Sequence, residues 1–213
     1  MTVQINVTSD FICPWCYIGH ARLSKAIELL SEDVDVDVRW HPYELNPSMP
    51  PEGMERKVYR SLKFGSWARS QQLDAQTVLA SENDDVTFNY DLIERTPNSF
   101  AAHRLSALAA NQGKQSLAAH AILEAYFRDG RDIGDADVLR EIASEVGIDA
   151  EAFNTWFAKE VTTAQVRSEI TKATRGVHGV PQFEIAGEVL GGAQPAEVLA
   201  QAIRRAAATL NAP

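Results

Sequence analysis

The stretch SDFICPWCYIGHARL, from Ser9 to Leu23, contains both cysteines of the chain, Cys13 and Cys16, separated by a proline and a tryptophan. The residues VQINV (3–7) alternate apolar and polar side chains, which is typical of a strand. From Pro14 onward the apolar positions recur at helical spacing, and proline is favoured in the first turn of a helix. We therefore predict the dithiol at the point where a strand passes into a helix.

The residues around this stretch indicate an α/β fold. VDVDVRW (34–40) predicts a second strand, which completes a β-α-β opening. HPYELNPSMPPEG (41–53) contains four prolines and predicts a loop. PQFEIAGEVLGG (181–192) predicts a hairpin, and QPAEVLAQAIRRAAATL (194–210) predicts a closing helix.

The middle of the chain, from Met54 to Arg175, has mostly helical spacing. Helix starts are predicted at Asn98 or Ser99, at Asp135 and at Asp149. Val86, Phe88 and Tyr90 alternate with polar residues and predict a short extended piece. The predicted order is therefore β-α-β, a helical block, and β-β-α.

Composition excludes several classes of function. The chain has 213 residues and a net charge of -9, with its acidic residues scattered, so nucleic-acid binding is not expected. It has no apolar run approaching the roughly 20 residues that span a membrane. The start, MTVQINVTSD, lacks the features of a signal peptide, so we expect a cytoplasmic location. The sequence does not indicate the oligomeric state.

The spacing of the cysteines predicts redox chemistry. In a reducing cytosol a structural disulfide is rare, and C-x-x-C beside a β-α-β unit is typical of a thioredoxin-like motif. The start of the helix favours the thiolate of Cys13, the attacking group, and Cys16 lies one turn further on, where it can resolve a mixed disulfide. Inert buried cysteines are the weaker interpretation. Zinc is not expected, because the five histidines have no recognisable ligand spacing.

The chain resembles the DsbA family of thioredoxin-fold oxidoreductases, and within it the cytosolic FrnE-like branch. The resemblance is carried by DFICPWCYIG (10–19), YELNPSMPPEG (43–53), RTPNSFAAHRL (95–105), AYFRDGRDIGD (125–135), GVHGVPQF (176–183) and GAQPAEVL (192–199). It implies a thioredoxin-like domain formed by residues 1–53 and 161–213, with a helical insertion at 54–160. It also implies a dithiol-disulfide oxidoreductase or protein disulfide isomerase.

The same resemblance implies a cis Pro181 opposite the dithiol, with the backbone of Val180 pairing with the substrate. Composition alone favours a trans bond, because only about 5–6% of X-Pro bonds are cis in folded proteins. Two features depart from the family. Trp15 stands where the periplasmic DsbA motif has histidine, and the second, C-terminal cysteine pair of some FrnE-like proteins is absent.

Other residues near the motif are candidates for the site. Pro14 and Trp15 are predicted to contact substrate, with Trp15 partly exposed. Asp10 is interpreted first as a turn or cap residue and second as an acid/base group for the dithiol. Asn98 and His103 either cap and pack a helix or line the cleft opposite Cys13. His20 is expected on the surface.

We interpret the chain as an enzyme that catalyses thiol-disulfide exchange. In a cytosolic setting, reductase or isomerase activity is expected rather than oxidase activity. It has no flavin or nicotinamide motif, so no cofactor is expected beyond a low-molecular-weight thiol, such as glutathione or mycothiol, as co-substrate. The expected partners are a protein or small-molecule thiol or disulfide substrate and a recycling partner that the sequence does not identify.

Two alternatives stay open. The first is a kappa-class glutathione transferase or 2-hydroxychromene-2-carboxylate isomerase, whose members typically have serine at the position of Cys13 and activate a bound thiol cofactor. The second is a non-catalytic chaperone or binding module, which predicts that client binding survives the loss of Cys13.

Overall fold

The computed structural model describes residues 2–30 and 34–210. Its elements, in chain order, are β1 (Thr2–Ser9), α1 (Pro14–Glu28), β2 (Asp35–Pro42), β3 (Met54–Glu55), α2 (Arg56–Phe64), α3 (Trp67–Ala80), a 3-10 turn (Tyr90–Leu92), β4 (Arg95–Thr96), α4 (Phe100–Ala110), α5 (Gln115–Phe127), α6 (Ala136–Glu145), α7 (Ala150–Ala158), α8 (Glu160–Ala173), β5 (Gln182–Ile185), β6 (Glu188–Gly191) and α9 (Ala196–Leu210). The predicted order of β-α-β, helices and β-β-α is confirmed.

The central sheet has four strands in the order β2-β1-β5-β6. β1 runs parallel to β2 and antiparallel to β5, which forms a hairpin with β6. Val7 of β1 pairs with Trp40 on one side and Phe183 on the other. The end of β1 therefore lies in the middle of the sheet, beside the strand that follows Pro181, and this thioredoxin-like arrangement confirms the α/β prediction.

One hydrophobic core joins the sheet to the helical block. α1 and α9 pack against each other, and α8 packs against β2. Tyr17 of α1 stacks on Phe127 of α5, with ring centroids 5.6 Å apart. The helix that carries the dithiol is thus held by residues from both parts of the chain, and the boundaries of the two predicted domains stay a prediction.

The predicted starts of α4, α6 and α7 are confirmed. Ser99 occupies the N-cap position of α4, but its side chain makes no capping hydrogen bond. The side chain of Asp135 accepts a hydrogen bond from the backbone N–H of Asp137, and that of Asp149 accepts from Ala152. Asp135 and Asp149 therefore cap α6 and α7 as short polar side chains commonly do at the start of a helix.

The prediction of an extended piece around Phe88 was wrong. Residues 86–89 form no strand, and Tyr90–Leu92 is a 3-10 turn. The ring of Phe88 lies 5.1 Å from that of Tyr90 and 5.4 Å from that of Tyr17, measured between centroids. The alternation reflects aromatic packing rather than strand pairing. The two-residue strands β3 and β4, which pair with each other, were not predicted because they are too short to show a period.

The prediction of a surface position for His20 was also wrong. His20 is only 7% exposed. Its ring lies 5.1 Å from that of Trp40 and 5.2 Å from that of His120, and its Nδ1 has no hydrogen-bond partner within the described residues. Burial, followed by the charge of His120, lowers the pKa of His20 to about 3.

This buried histidine predicts acid sensitivity. The unfolded chain binds the His20 proton below about pH 6.5, whereas the folded protein resists it down to about pH 3, so protonation favours unfolding between these values. We expect His20 to remove up to about 1.4 kcal/mol of unfolding free energy per pH unit as the pH falls through this window. Urea unfolding at several pH values measures the effect. The unfolding free energy of His20→Phe should fall less steeply with decreasing pH than that of the unmodified protein.

The control for this experiment is His178→Gln, which changes an exposed histidine. The change of its unfolding free energy with pH should match that of the unmodified protein. If the unfolding free energy changed equally with pH in all three proteins, His20 would not be the source of the acid sensitivity.

Over residues 2–30 and 34–210, no helix has the length and apolar character needed to cross a membrane. The same residues contain no group of three or more histidine, cysteine, aspartate or glutamate side chains placed to hold a metal ion.

Candidate active site

Cys13 occupies the turn between β1 and α1. Its backbone N–H donates to the carbonyl of Asp10 at 3.1 Å, and its own carbonyl accepts from the N–H groups of Cys16 at 3.0 Å and Tyr17 at 3.3 Å. Cys13 is the N-cap residue of α1, and Pro14 is the first residue of the helix. The sulfur is therefore held at the helix end whose N–H groups and dipole stabilise an anion.

Cys16 lies one turn further along α1 and is more deeply buried. It is 1% exposed, compared with 5% for Cys13, and both are free thiols. Burial raises the pKa of Cys16 well above its ordinary value, and the hydrogen bond and charge of Cys13 raise it further. Cys16 is therefore held as a neutral thiol behind Cys13.

Pro181 closes the site from the other half of the chain. The Val180–Pro181 peptide bond is cis, as the family resemblance implied and contrary to the prediction from composition. The Cys13 thiol donates to the carbonyl oxygen of Val180, with an S···O distance of 3.7 Å. The two predicted halves of the site thus meet at the Cys13 sulfur.

Gly19 sets how closely α1 approaches this proline. A Cβ atom at Gly19 would lie 2.9 Å from Cγ of Pro181, closer than carbon atoms pack, and 3.2 Å from Cζ of Phe183, which is a tight contact. Only glycine fits without displacing Pro181. Gly19 belongs to the set of positions at helical spacing that follows Pro14, but its contact with Pro181 depends on the tertiary fold.

We expect Gly19→Ala to destabilise the protein by about 1–3 kcal/mol, the usual cost of overpacking. This effect is opposite to the usual one, because replacing glycine with alanine within a helix ordinarily raises the unfolding free energy by about 1 kcal/mol. The free energy of urea unfolding provides the measurement. Gly191→Ala is the control, since a Cβ at that position meets nothing within 4 Å. A stabilised Gly19→Ala protein would show that Pro181 can move away freely.

Asp10 is completely buried below the dithiol turn. Its Oδ2 accepts from the N–H of Leu45 at 2.7 Å, and its Oδ1 accepts from the N–H of Ile12 at 3.4 Å. The same Oδ1 lies 3.5 Å from Nε2 of His103. These contacts match the turn interpretation of Asp10, and they tie the dithiol turn to the loop after β2.

His103 and Asn98 connect α4 to the same loop. His103 is buried, with its Nε2 3.0 Å from the carbonyl oxygen of Tyr43 and its ring 4.9 Å from that of Phe11. Asn98 accepts from the N–H of Phe100 at 2.9 Å and donates to the carbonyl of Met49 at 2.7 Å. Both residues therefore have packing and capping contacts, and a role in lining the cleft stays a prediction.

Trp15 is 40% exposed, as predicted for the residue between the two cysteines. Pro14, on its N-terminal side, lines a cavity together with Arg56, Arg60 and Lys63 of α2. These three basic residues were not predicted as site residues. Their spacing places them on one face of a helix, but the sequence does not show which part of the chain that face meets.

The geometry defines a thioredoxin-fold protein with a dithiol at a helix N-terminus opposite a cis-proline. The chain belongs to the DSBA-like thioredoxin domain family, whose model matches residues 4–204. It is 31% identical to the protein YwbO of Bacillus subtilis (strain 168) over 207 residues, which cover 95% of this chain and 96% of YwbO.

Solved structures agree with this assignment. A probable DsbA oxidoreductase from Streptomyces coelicolor has a TM-score of 0.86 and 28% identity, covering 99% of this chain and 92% of that one. A 2-hydroxychromene-2-carboxylate isomerase has a TM-score of 0.74 at 16% identity, covering 98% of this chain and 100% of that one, and this likeness shows the fold alone. The chain is a DsbA-like thioredoxin-fold protein of the oxidoreductase type.

Proposed function

We propose that this protein is a dithiol-disulfide oxidoreductase that uses Cys13 and Cys16, with reductase or disulfide isomerase activity. The observation that carries the proposal is the placement of the two thiols. Cys13 is the N-cap residue of α1 and contacts the carbonyl of Val180, while Cys16 lies behind it with 1% exposure. This arrangement supports Cys13 as the sulfur that reacts with substrate and Cys16 as the sulfur that then reacts with Cys13.

The reaction begins when the Cys13 thiolate attacks one sulfur of a substrate disulfide. A bond forms between Cys13 and that sulfur, the substrate disulfide breaks, and the other substrate sulfur leaves as a thiolate that takes a proton from water. Cys16 then loses its proton and attacks Cys13, which releases the second substrate thiolate. The dithiol has lost two electrons and two protons, and the substrate disulfide has gained them.

The same steps in reverse oxidise a substrate dithiol. If the mixed disulfide is attacked by another substrate thiol before Cys16 acts, the result is isomerisation. Regeneration of the dithiol requires an external reductant, for which we propose a low-molecular-weight thiol such as glutathione or mycothiol. A cytoplasmic location and membership of the FrnE-like branch are parts of the same proposal.

Substrate binding is assigned to the residues around Cys13. Trp15 offers an exposed apolar ring next to the nucleophile, and Pro14 borders the neighbouring cavity. The carbonyl of Val180 contacts the sulfur, Pro181 follows it in the chain, and the backbone of Val180 would pair with an extended substrate segment. Aromatic side chains of this kind provide large contact areas at binding surfaces.

Reduction of insulin by dithiothreitol tests the proposal. We expect the protein to accelerate precipitation of the insulin B chain well beyond the rate with dithiothreitol alone. A rate equal to that of dithiothreitol would contradict disulfide reduction. Binding of glutathione without any change in the two thiols would then favour the thiol-cofactor alternative, against which the intact Cys13 and Cys16 pair argues.

A further inference from the structure

A small cavity lies directly beside the dithiol turn. Its volume is about 80 Å³, and its walls include Ile12 and Pro14, the residues on either side of Cys13. The opposite wall is the face of α2 that carries Arg56, Arg60 and Lys63. The cavity therefore lies next to the short segment of chain that carries Cys13.

The charges around the cavity are unbalanced. Arg56 and Arg60 share one carboxylate, that of Asp74, at 2.7 Å and 2.6 Å. Lys63 donates to the side-chain oxygen of Asn46 at 2.8 Å and to the hydroxyl of Tyr59 at 2.6 Å, neither of which is a carboxylate. Three cationic side chains thus face one anion, in a chain whose net charge is -9.

Several donors near the cavity also lack acceptors within residues 2–30 and 34–210. Arg56 uses only Nη2, so its Nε and Nη1 have no acceptor, and Nη1 of Arg60 has none either. Nδ2 of Asn46 is a buried amide nitrogen without a partner. Buried donors normally find acceptors, so the Asn46 amide favours a ligand with oxygen atoms. The guanidinium groups of Arg56 and Arg60 also lie over the rings of Tyr90 and Phe64, 5.0 Å and 4.8 Å from the ring centroids, which leaves their edges open to an anion.

We propose that this cavity, bounded by the dithiol turn and α2, binds a carboxylate group of a small thiol or disulfide substrate while its sulfur reacts at Cys13. The inference rests on the proposed function and names its substrate class. The volume of about 80 Å³ is several times the roughly 10–15 Å³ that a cavity needs to hold one water molecule, so a carboxylate with a short carbon chain can be accommodated. Guanidinium and ammonium groups are the usual partners of carboxylates.

The test measures how fast two small disulfides oxidise the reduced protein. The probes are 3,3′-dithiodipropionate, which carries two carboxylates, and bis(2-hydroxyethyl) disulfide, which is neutral. To correct for the intrinsic reactivity of each disulfide, its rate with the protein is divided by its rate with a small thiol. The corrected rate of the anionic disulfide divided by that of the neutral one is the preference for the anion. Stopped-flow tryptophan fluorescence can follow the reaction, since Trp15 lies between the cysteines.

We expect the unmodified protein to prefer the anionic probe, and Lys63→Glu to lower that preference by about tenfold, because local charge controls encounter and binding of a charged substrate. Added salt should reduce the preference as well. Lys57→Glu is the matched control, because it makes the same charge change at an exposed position of α2 outside the cavity. It should retain the preference.

The outcomes separate this inference from the proposed function. If both probes oxidise the protein and the preference is equal in all three proteins, the carboxylate subsite is wrong and the exchange chemistry stands. If Lys57→Glu loses the preference as strongly as Lys63→Glu, the effect comes from overall charge and the subsite is again wrong. If neither probe oxidises the unmodified protein, the proposed function itself fails.

Discussion

Replacing Cys13 with serine is expected to lower disulfide-exchange activity by at least about a thousandfold, because removal of a covalent nucleophile leaves only the small contribution of binding. A serine hydroxyl is far less acidic than a thiol and cannot form the mixed disulfide. Cys13 is also the thiol that contacts Val180, and it occupies the N-cap position of α1, so no other described side chain stands in its position. The rate of insulin reduction measures the loss.

Two controls make this result specific. The Cys13→Ser protein should keep the unfolding free energy of the reduced protein within about 1 kcal/mol, since the two side chains differ by one atom. Client binding should be measured in parallel. If insulin reduction persists in Cys13→Ser, the assignment of Cys13 as the nucleophile is wrong. If the Cys13→Ser protein binds clients as well as the unmodified protein and a cellular function depends on that binding, the chaperone alternative gains support.

Replacing Cys16 with serine is expected to convert a transient mixed disulfide into a persistent one. In the proposed mechanism Cys16, which lies in the same buried turn, resolves the intermediate. In Cys16→Ser only thiols from solvent could do so, and Cys13 is 5% exposed. The lifetime of the adduct should lengthen from seconds to hours, the range over which disulfide reshuffling is observed.

The adduct can be measured on non-reducing gels and by mass spectrometry after the reduced protein is mixed with a disulfide-bonded substrate. Cys13→Ser is the matched control and should trap nothing. An adduct that forms on Cys16 in the Cys13→Ser protein, and none on Cys13 in the Cys16→Ser protein, would reverse the two roles.

Much of the fold could be predicted because its signals are local. The period-two pattern of residues 3–7, the helical spacing after Pro14 and the capping residues Asp135 and Asp149 each depend on a few neighbouring residues. The same holds for the dithiol, whose spacing and position are visible within one stretch. The cis geometry of Pro181 came from family resemblance and could not be obtained from composition.

The features that sequence reasoning missed depend on contacts between distant parts of the chain. His20 is buried because Trp40 and His120 lie against it, and neither contact leaves a local pattern. Gly19 is required by its approach to Pro181, which is far away in sequence. The basic face of α2 became a candidate binding surface only when the structure placed it beside Pro14.

The decisive measurement of dithiol-disulfide exchange at this site is intact-mass spectrometry of the reduced protein after one equivalent of a small disulfide has been added. We expect the protein to lose two hydrogen atoms, neither cysteine to be available for alkylation, and a digest to contain a peptide linked through Cys13 and Cys16. A protein that keeps both thiols, or one that stops permanently at an adduct on a single cysteine, would contradict dithiol-disulfide exchange at this site.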